Sequence, residues 1–307
     1  MTTIELPAAD VVTFDSREAW LEARQAGLGS SDAAAVLNVS PWHTAYTLFH
    51  EKVGFRSAPL AKQEAAEWGT LLEPLLATRY EKATGRELTY PGPYTLVRHR
   101  EHPYLFASLD RLVLDPEKGL GALELKTAAS YKVGEWLEEP PLAYQVQVQH
   151  QLAVTGLPWA SIAVLIGGQR FTWLDVPRHE PFIAELIQRE TAFWQRVLAF
   201  EPPAVDGSDE TKALLSALYP KDEPGLTVAL PPEALEWDRA RLEACDQLTY
   251  WDSIKTEAEN KLKAAIGPAS VGLVDGAVSY TWKASTRKGY TVAPSTVRTL
   301  RRVVSHA

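Results

Sequence analysis

The sequence predicts an α/β fold, a mixed central sheet flanked by helices, with a helical and β-hairpin extension behind it. Three observations lead there. Helical periodicity fills most of the first 85 residues, alternating strand patterns run between 94 and 127, and an apolar strand-like run at 160–167 precedes a long amphipathic helix. Helices first, then a hairpin, then helix and strand again, is the order of a sheet covered on its faces.

Taken in order, residues 15–27, "DSREAWLEARQAG", read as a capped amphipathic helix. Asp15 or Ser16 is the cap, Trp20 and Leu21 turn inward, and Gly27 ends it. "GLGSSDAAAVLNVS" is a Gly/Ser turn opening a short helix at Ser31 or Asp32, and a third helix spans about 45–53, stopped by Gly54. Residues 61–84 form a longer helix in which Glu73 shares a face with Gly69, Leu76 and Tyr80, with Pro74 expected to disturb the ladder and free a carbonyl. Strands follow at 94–97, 104–114, 120–127, 160–167 and 170–176, then a helix at 180–199.

"FEPPAVDGSDE" at 200–210 has the composition of a boundary, dividing a core at 1–205 from an accessory extension at 206–307. The extension holds a helix at 232–265, whose Leu235, Leu242, Leu248 and Ile254 are expected to pack on the core. Asp275-Gly276 between two apolar runs is a strong two-residue hairpin signal. Residues 283–302 carry six Lys/Arg and no acid, and read equally as a contact for duplex backbone or an acidic partner and as a solvated edge.

Composition limits the function classes. With 307 residues, 46% hydrophobic, the chain can bury a sizeable core. Its 31 Lys and Arg against 39 Asp and Glu, net −8, exclude a generally basic nucleic-acid coat protein but not a local basic groove. One cysteine, Cys245, makes no internal disulfide and supplies neither a zinc nor an iron–sulfur cluster, so a reducing cytoplasm is expected. No apolar run approaches the ~20 residues of a membrane span, and the first residues lack a signal pattern.

The chemistry concentrates in "SLDRLVLDPEKGLGALELKT", 108–127. Two strands, 109–114 and 121–126, are joined by a Pro/Gly turn; in the second, Leu123 and Leu125 face one way and Glu124 and Lys126 the other. Alone, a Glu-X-Lys is usually a solvated ion pair worth ~0–1 kcal/mol. Together with Asp110 on the first arm, it offers carboxylates for a hard divalent cation and an ammonium for developing charge. Those are the parts a phosphodiester-cleaving site needs, as in the PD-(D/E)XK nucleases.

Over roughly 15–205 the chain resembles the YqaJ-type viral recombinase family, whose best-known relative is the lambda exonuclease. The resemblance rests on the ordered motifs "WLEARQAGLGSSDAAAVL", "WGTLLEPLLATRYEKATG", "SLDR", "LELKT", "YQVQVQHQLAVTG" and "FWQRV". It implies a PD-(D/E)XK restriction-endonuclease-like core. Asp110 and Glu124 would be metal ligands, with the carbonyl of Leu125. Lys126 and Gln147 would orient the attacking water, and Glu73 would support the metal site. Trp20, Arg24 and Ser31 match residues that hold a 5′-phosphate, with Ser30 beside them. "YQVQVQHQLAV" alternates with period two, which on pattern alone predicts a strand; the resemblance implies a helix beside the Glu-X-Lys strand, His150 being structural. The family usually reads Pro-Asp-Gly at the first acid, where this chain has Leu109-Asp110-Arg111. Arg111 and Gln149 are candidate DNA contacts.

By the same resemblance, the expected activity is a Mg²⁺- or Mn²⁺-dependent 5′→3′ exonuclease on double-stranded DNA ends. The implied partners are a single-strand annealing protein and further copies of the chain in a trimeric ring. Two other readings stand beside it. One is an end-independent endonuclease or RecB-type nuclease of repair or defence, although the CRISPR-associated type usually carries a cysteine cluster. The other is a non-catalytic DNA-end binder.

Overall fold

The structure is a computed structural model that describes residues 5–55, 63–136, 138–275, 278–289 and 298–303. The chain divides into two compact units, Met1–Tyr219 and Pro220–Ala307.

In the first unit, β1 (Ala9–Thr13) leads into α1 (Arg17–Gln25), α2 (Ser30–Val36), α3 (Ala45–Lys52) and α4 (Gln63–Thr84). Then come β2 (Glu87–Thr89), β3 (Thr95–His99), β4 (Phe106–Ala107), β5 (Arg111–Asp115) and β6 (Gly119–Ala128). A 3₁₀ segment (Ser130–Trp136) precedes α5 (Leu142–Thr155), β7 (Trp159–Ile166), β8 (Arg170–Pro177), α6 (Glu180–Ala199) and α7 (Asp209–Leu218). The main sheet has the order β2-β5-β6-β7-β8 and is antiparallel except for β6 against β7. A parallel pair needs a crossover, and α5 provides it. A smaller antiparallel sheet, β1-β3-β4, stands apart.

Two apolar layers cover the main sheet. On one face Leu123 and Leu125 of β6 and Val113 of β5 meet Leu76, Ala77 and Tyr80 of α4. On the other, Ala122, Leu112 and Ile162 pack with Val148 and Leu152 of α5 and with Ile183, Phe193 and Trp194 of α6. The alternation of β6 therefore turns Glu124 and Lys126 toward α5, as the sequence predicts.

The glutamine tract is a helix. Ten of the residues of α5 are buried, from Ala143 to Thr155, so the segment is enclosed on most of its circumference and its polar residues carry no solvent-facing stripe. Period-two alternation has no meaning for such an element. Gly156 ends it in the left-handed conformation (φ +75°).

Other expectations are corrected. The stretch 104–114 is two strands in two sheets: β4 pairs with β3, β5 with β2 and β6, and Ser108-Leu109-Asp110 make the bend between them. Asp110 thus precedes the hairpin arm instead of lying on it. Helix α4 spans Pro74 within one element, as the expected 61–84 helix does. The unit boundary falls at Tyr219, beyond 205, because α7 packs into the core: Leu214 is buried, and buried Thr211 bonds Thr44 of the loop before α3 at 3.3 Å.

The second unit holds α8 (Ala234–Ile266) and a hairpin of β9 (Val271–Val274) with β10 (Val278–Thr281). Gly276 of the hairpin turn and residues 290–297 of the basic stretch lie outside the described residues. Leu235, Leu242, Leu248 and Ile254 are all exposed, and no residue of α8 is buried, so they build no core within the second unit. Cys245 is exposed and free. No helix among the described residues is long and apolar enough to cross a membrane.

Candidate active site

The β5–β6 ladder stops at Arg111 opposite Leu123. One step further along β6, the Leu125 N–H would meet position 109, but the chain has bent away. The Asp110 carboxylate takes its place: Oδ2 accepts the Leu125 N–H at 2.7 Å. The end of a strand thereby fixes an acid against the middle of the neighbouring strand.

Glu124, 4% exposed, receives three donors. Lys126 Nζ lies 2.5 Å from Oε1, Gln147 Nε2 donates to Oε1 at 2.6 Å, and Gln151 Nε2 donates to Oε2 at 2.6 Å. Gln147 and Gln151 are one helical turn apart on α5, so both reach the same carboxylate. Lys126 Nζ also sits 4.9 Å from the centre of the Tyr144 ring. Burial alone would lower its pKa, yet the Glu124 and Asp110 carboxylates outweigh burial and raise it. Lys126 is therefore an ammonium, suited to stabilising negative charge and not to abstracting protons. Burial, then the charges of Glu124 and Glu73, push the Asp110 carboxyl well above its ordinary range.

Glu73 reaches the cleft from α4 with its side chain 27% exposed and pairs with Arg111 Nη1 at 2.6 Å. Pro74 cannot donate to the Thr70 carbonyl, and Thr70 and Glu73 both line the cleft. Arg111 corrects the expected DNA contact: it is 9% exposed, pairs with Glu73, donates to the Asp110 carbonyl and lies 4.3 Å from the centre of the Tyr90 ring. Gln149 corrects another. It donates to the Pro177 carbonyl and accepts from the His179 N–H, tying α5 to the start of α6, away from the carboxylates.

The same cleft is also lined by Arg17, Trp20, Arg24, Ser30 and Ser31. Ser16 caps α1 by accepting the Ala19 N–H, and Gly29 begins α2, its N–H donating to Asp32 Oδ2 at 2.9 Å. Lys52 pairs with that carboxylate at 2.7 Å and, after burial, is the largest influence on Asp32, whose pKa is lowered overall. Leu28 exchanges backbone bonds with Tyr104 and Phe106, at 2.7 and 3.0 Å, which fixes the α1–α2 link on β4. A Cβ on Gly27 would stand 2.2 Å from the Tyr104 carbonyl oxygen, so only glycine fits there. The Arg24 guanidinium lies 4.6 Å from the centre of the Trp20 indole. Trp20 Nε1, Ser30 Oγ and Ser108 Oγ, all on residues lining the cleft, are buried with no hydrogen-bond partner among the described residues. Buried polar atoms are ordinarily satisfied, so these three mark where a polar ligand would bond.

The sequence reading missed Gln151, Ser108 and Tyr90. Gln151 carried a signal, since it follows Gln147 by one helical turn once 142–155 is known to be a helix. Ser108 and Tyr90 carried none, being brought in by the bend before β5 and the loop after β2.

The donor set suits a hard divalent cation. Asp110 and Glu124 supply carboxylate oxygens, Asp110 held by the Leu125 N–H and Glu124 by its three donors, and the Leu125 carbonyl is adjacent in sequence. Among the described residues no three His, Cys, Asp or Glu side chains are close enough to hold an ion by themselves. A backbone oxygen or water would have to complete the shell of an ion held there.

Residues 19–158, which carry every residue lining the cleft except Arg17, match the model of the YqaJ-like viral recombinase domain. The chain is 34% identical over 272 residues to the uncharacterized protein YqaJ of Bacillus subtilis (strain 168), covering 87% of this chain and 83% of that one. In fold it is similar to an alkaline exonuclease, LHK-Exo, from Laribacter hongkongensis. That match has a TM-score of 0.50 at 24% identity and covers 66% of this chain and 100% of that one; the same protein in complex with dAMP matches equally. With the glutamine helix, the Glu-X-Lys strand and the Gly/Ser turn all inside the matched stretch, this chain belongs to the YqaJ-like viral recombinase family.

Proposed function

We propose that the protein is a divalent-metal-dependent deoxyribonuclease of viral-type recombination, degrading duplex DNA from its 5′ ends. The observation that carries this reading is the one cleft lined both by Asp110 and Glu124 and by Arg24, Ser30 and Ser31. Family membership and the fold shared with an alkaline exonuclease support it.

A 5′-phosphate would lie at the start of α2, paired two-pronged by Arg24 and bonded by the unpartnered Ser30 hydroxyl and the Trp20 N–H. That anchoring selects a terminus over an internal linkage and favours an exonuclease over an end-independent enzyme. Held by Asp110, Glu124 and the Leu125 carbonyl, Mg²⁺ or Mn²⁺ would acidify water and neutralise phosphoryl charge. Lys126 stabilises charge on the attacked phosphate, while Gln147 and Gln151 hold the Glu124 carboxylate in one orientation. The resemblance further supports a trimeric ring around the duplex and an annealing protein as partner; light scattering of the purified chain tests the first.

The deciding experiment compares linear duplex bearing 5′-phosphate or 5′-hydroxyl with closed circular DNA, in Mg²⁺ and in EDTA. Digestion of linear 5′-phosphorylated DNA only, and only with Mg²⁺, is expected. Full activity in EDTA rejects the metal; equal rates on both ends reject the phosphate pocket.

A further inference from the structure

The residue after Asp110 carries a charge that the mechanism above leaves unused. Arg111 is an internal guanidinium. Its Nη1 donates to Glu73 Oε1 at 2.6 Å and to the Asp110 carbonyl, and its plane carbon stands 4.3 Å from the centre of the Tyr90 ring. Its side chain is 11% exposed, that of Glu73 27%. A guanidinium keeps its proton throughout the working pH range, so a fixed positive charge stands behind Glu73, Tyr90 and Asp110, which line the cleft.

Counting charges shows what it does. With all three acids ionised, as metal ligation would require, Glu73, Asp110 and Glu124 bring three negative charges; Lys126 and Arg111 bring two positive ones. The fully ionised cluster has a net charge of −1. One divalent cation takes it to +1, which a single phosphodiester neutralises. Two would leave it at +3 in a partly buried site, where unbalanced charge is costly. Beyond Asp110 and Glu124 the one other carboxylate lining the cleft among the described residues is that of Glu73, and Arg111 already holds it.

We propose that Arg111 is a resident cation standing in for a second divalent ion, so that the cleft takes one ion per chain, on the side of Asp110 and Glu124. This rests on the metal-dependent reading above. Arg111 acts through Glu73 and the Asp110 backbone, and is a positioning residue.

The test is Mn²⁺ binding to the full chain without DNA, by equilibrium dialysis and electron paramagnetic resonance. One Mn²⁺ per chain is expected, rising to two in Arg111→Ala and Arg111→Met. In both variants the resonance should broaden from coupling between ions roughly 4 Å apart. Adding Glu73→Gln to Arg111→Met should restore one. Glu73→Gln alone should leave one ion bound. Two ions in the unsubstituted chain, one ion in both Arg111 variants, or loss of the ion in Glu73→Gln would each overturn the proposal. No bound Mn²⁺ in the unsubstituted chain would overturn the metal reading itself. Far-UV circular dichroism checks folding; Met keeps the aliphatic contact on Tyr90 should Ala fail to fold, and the Glu73→Gln arm leaves Arg111 in place.

Discussion

Glu124 draws donors from two elements, and each has a separate consequence. Lys126→Ala and Glu124→Ala should each abolish digestion of linear duplex, by at least ~10²-fold, while anisotropy with labelled 5′-phosphorylated DNA still reports end binding through Arg24 and Ser30. Loss of binding together with activity would show that the two sets of residues do not work separately. A second residue-scale device lies behind the site. His150 and Glu190 are both fully buried and 2.6 Å apart, and the second His150 nitrogen lies 3.0 Å from the Phe106 carbonyl of β4. Burial alone would lower the imidazole pKa, but Glu190 and that carbonyl outweigh burial and raise it. A histidine raised in the folded state contributes stability that is fully present below its unfolded value, near 6.5, and is lost as pH climbs through the raised value. Urea midpoints should therefore fall as pH rises above about 6.5, and His150→Gln should flatten that limb. Breaking the pair with one substitution should cost about 3–5 kcal/mol, whereas His150→Leu with Glu190→Leu should cost less than either alone. At this scale Asp110, Glu124, Trp20, Arg24, Ser30 and Ser31 could be singled out because each sits in a motif, and the structure lines one cleft with all six. Arg111 and Gln149 were misread because a charged or amide side chain in a strand or helix gives no sign of which internal partner will claim it.

Elements explain why those residues meet. Helix α4 covers one face of β6 and α5 the other, so Leu125 and Glu124, adjacent in sequence, serve a core and a cleft. Pro74 gives a direct test of how α4 contributes. A proline in a helix interior removes a backbone bond and crowds the turn before it, and Thr70, four residues earlier, lines the cleft. Pro74→Ala should raise stability by about 1–3 kcal/mol in urea unfolding, and should lower kcat by closing the Thr70 carbonyl into the ladder. Higher stability with unchanged kcat would show that this carbonyl has no part in the reaction. The long elements were legible from period and caps: α1 with Ser16, α3, α6 and the apolar β7 lie within a few residues of their expected ranges. The short ones were not. Strand β4 has two residues and β2 three, too few for any period to register. The break at Ser108–Asp110 is set by pairing with β3 on one side and β6 on the other, which only the folded sheets define.

At the scale of the molecule, burial separates the two units. Every described buried side chain lies at or before Leu214, and none lies in 220–307. A segment with no fully buried side chain removes little apolar surface from water and has little to offset its chain entropy. Helix α8 is held by its own backbone ladder and by i,i+4 pairs such as Lys261–Glu257 and Lys263–Glu259, each worth a few tenths of a kcal/mol. Helix α5 is held by burial on nearly every side. Amide hydrogen exchange on the full chain should therefore resolve two classes. Amides of α5 and β7 should exchange only through unfolding of the first unit, while those of α8 should exchange by local opening, several orders of magnitude faster. Calorimetry should match this, with one cooperative transition assigned to residues 1–219 and its midpoint moved by no more than a few degrees when the chain is cut after Tyr219. If α8 proved as protected as α5 in the isolated chain, its apolar side chains Trp237, Leu248 and Trp251 would have to be covered in solution, and the second unit would be part of the folded core.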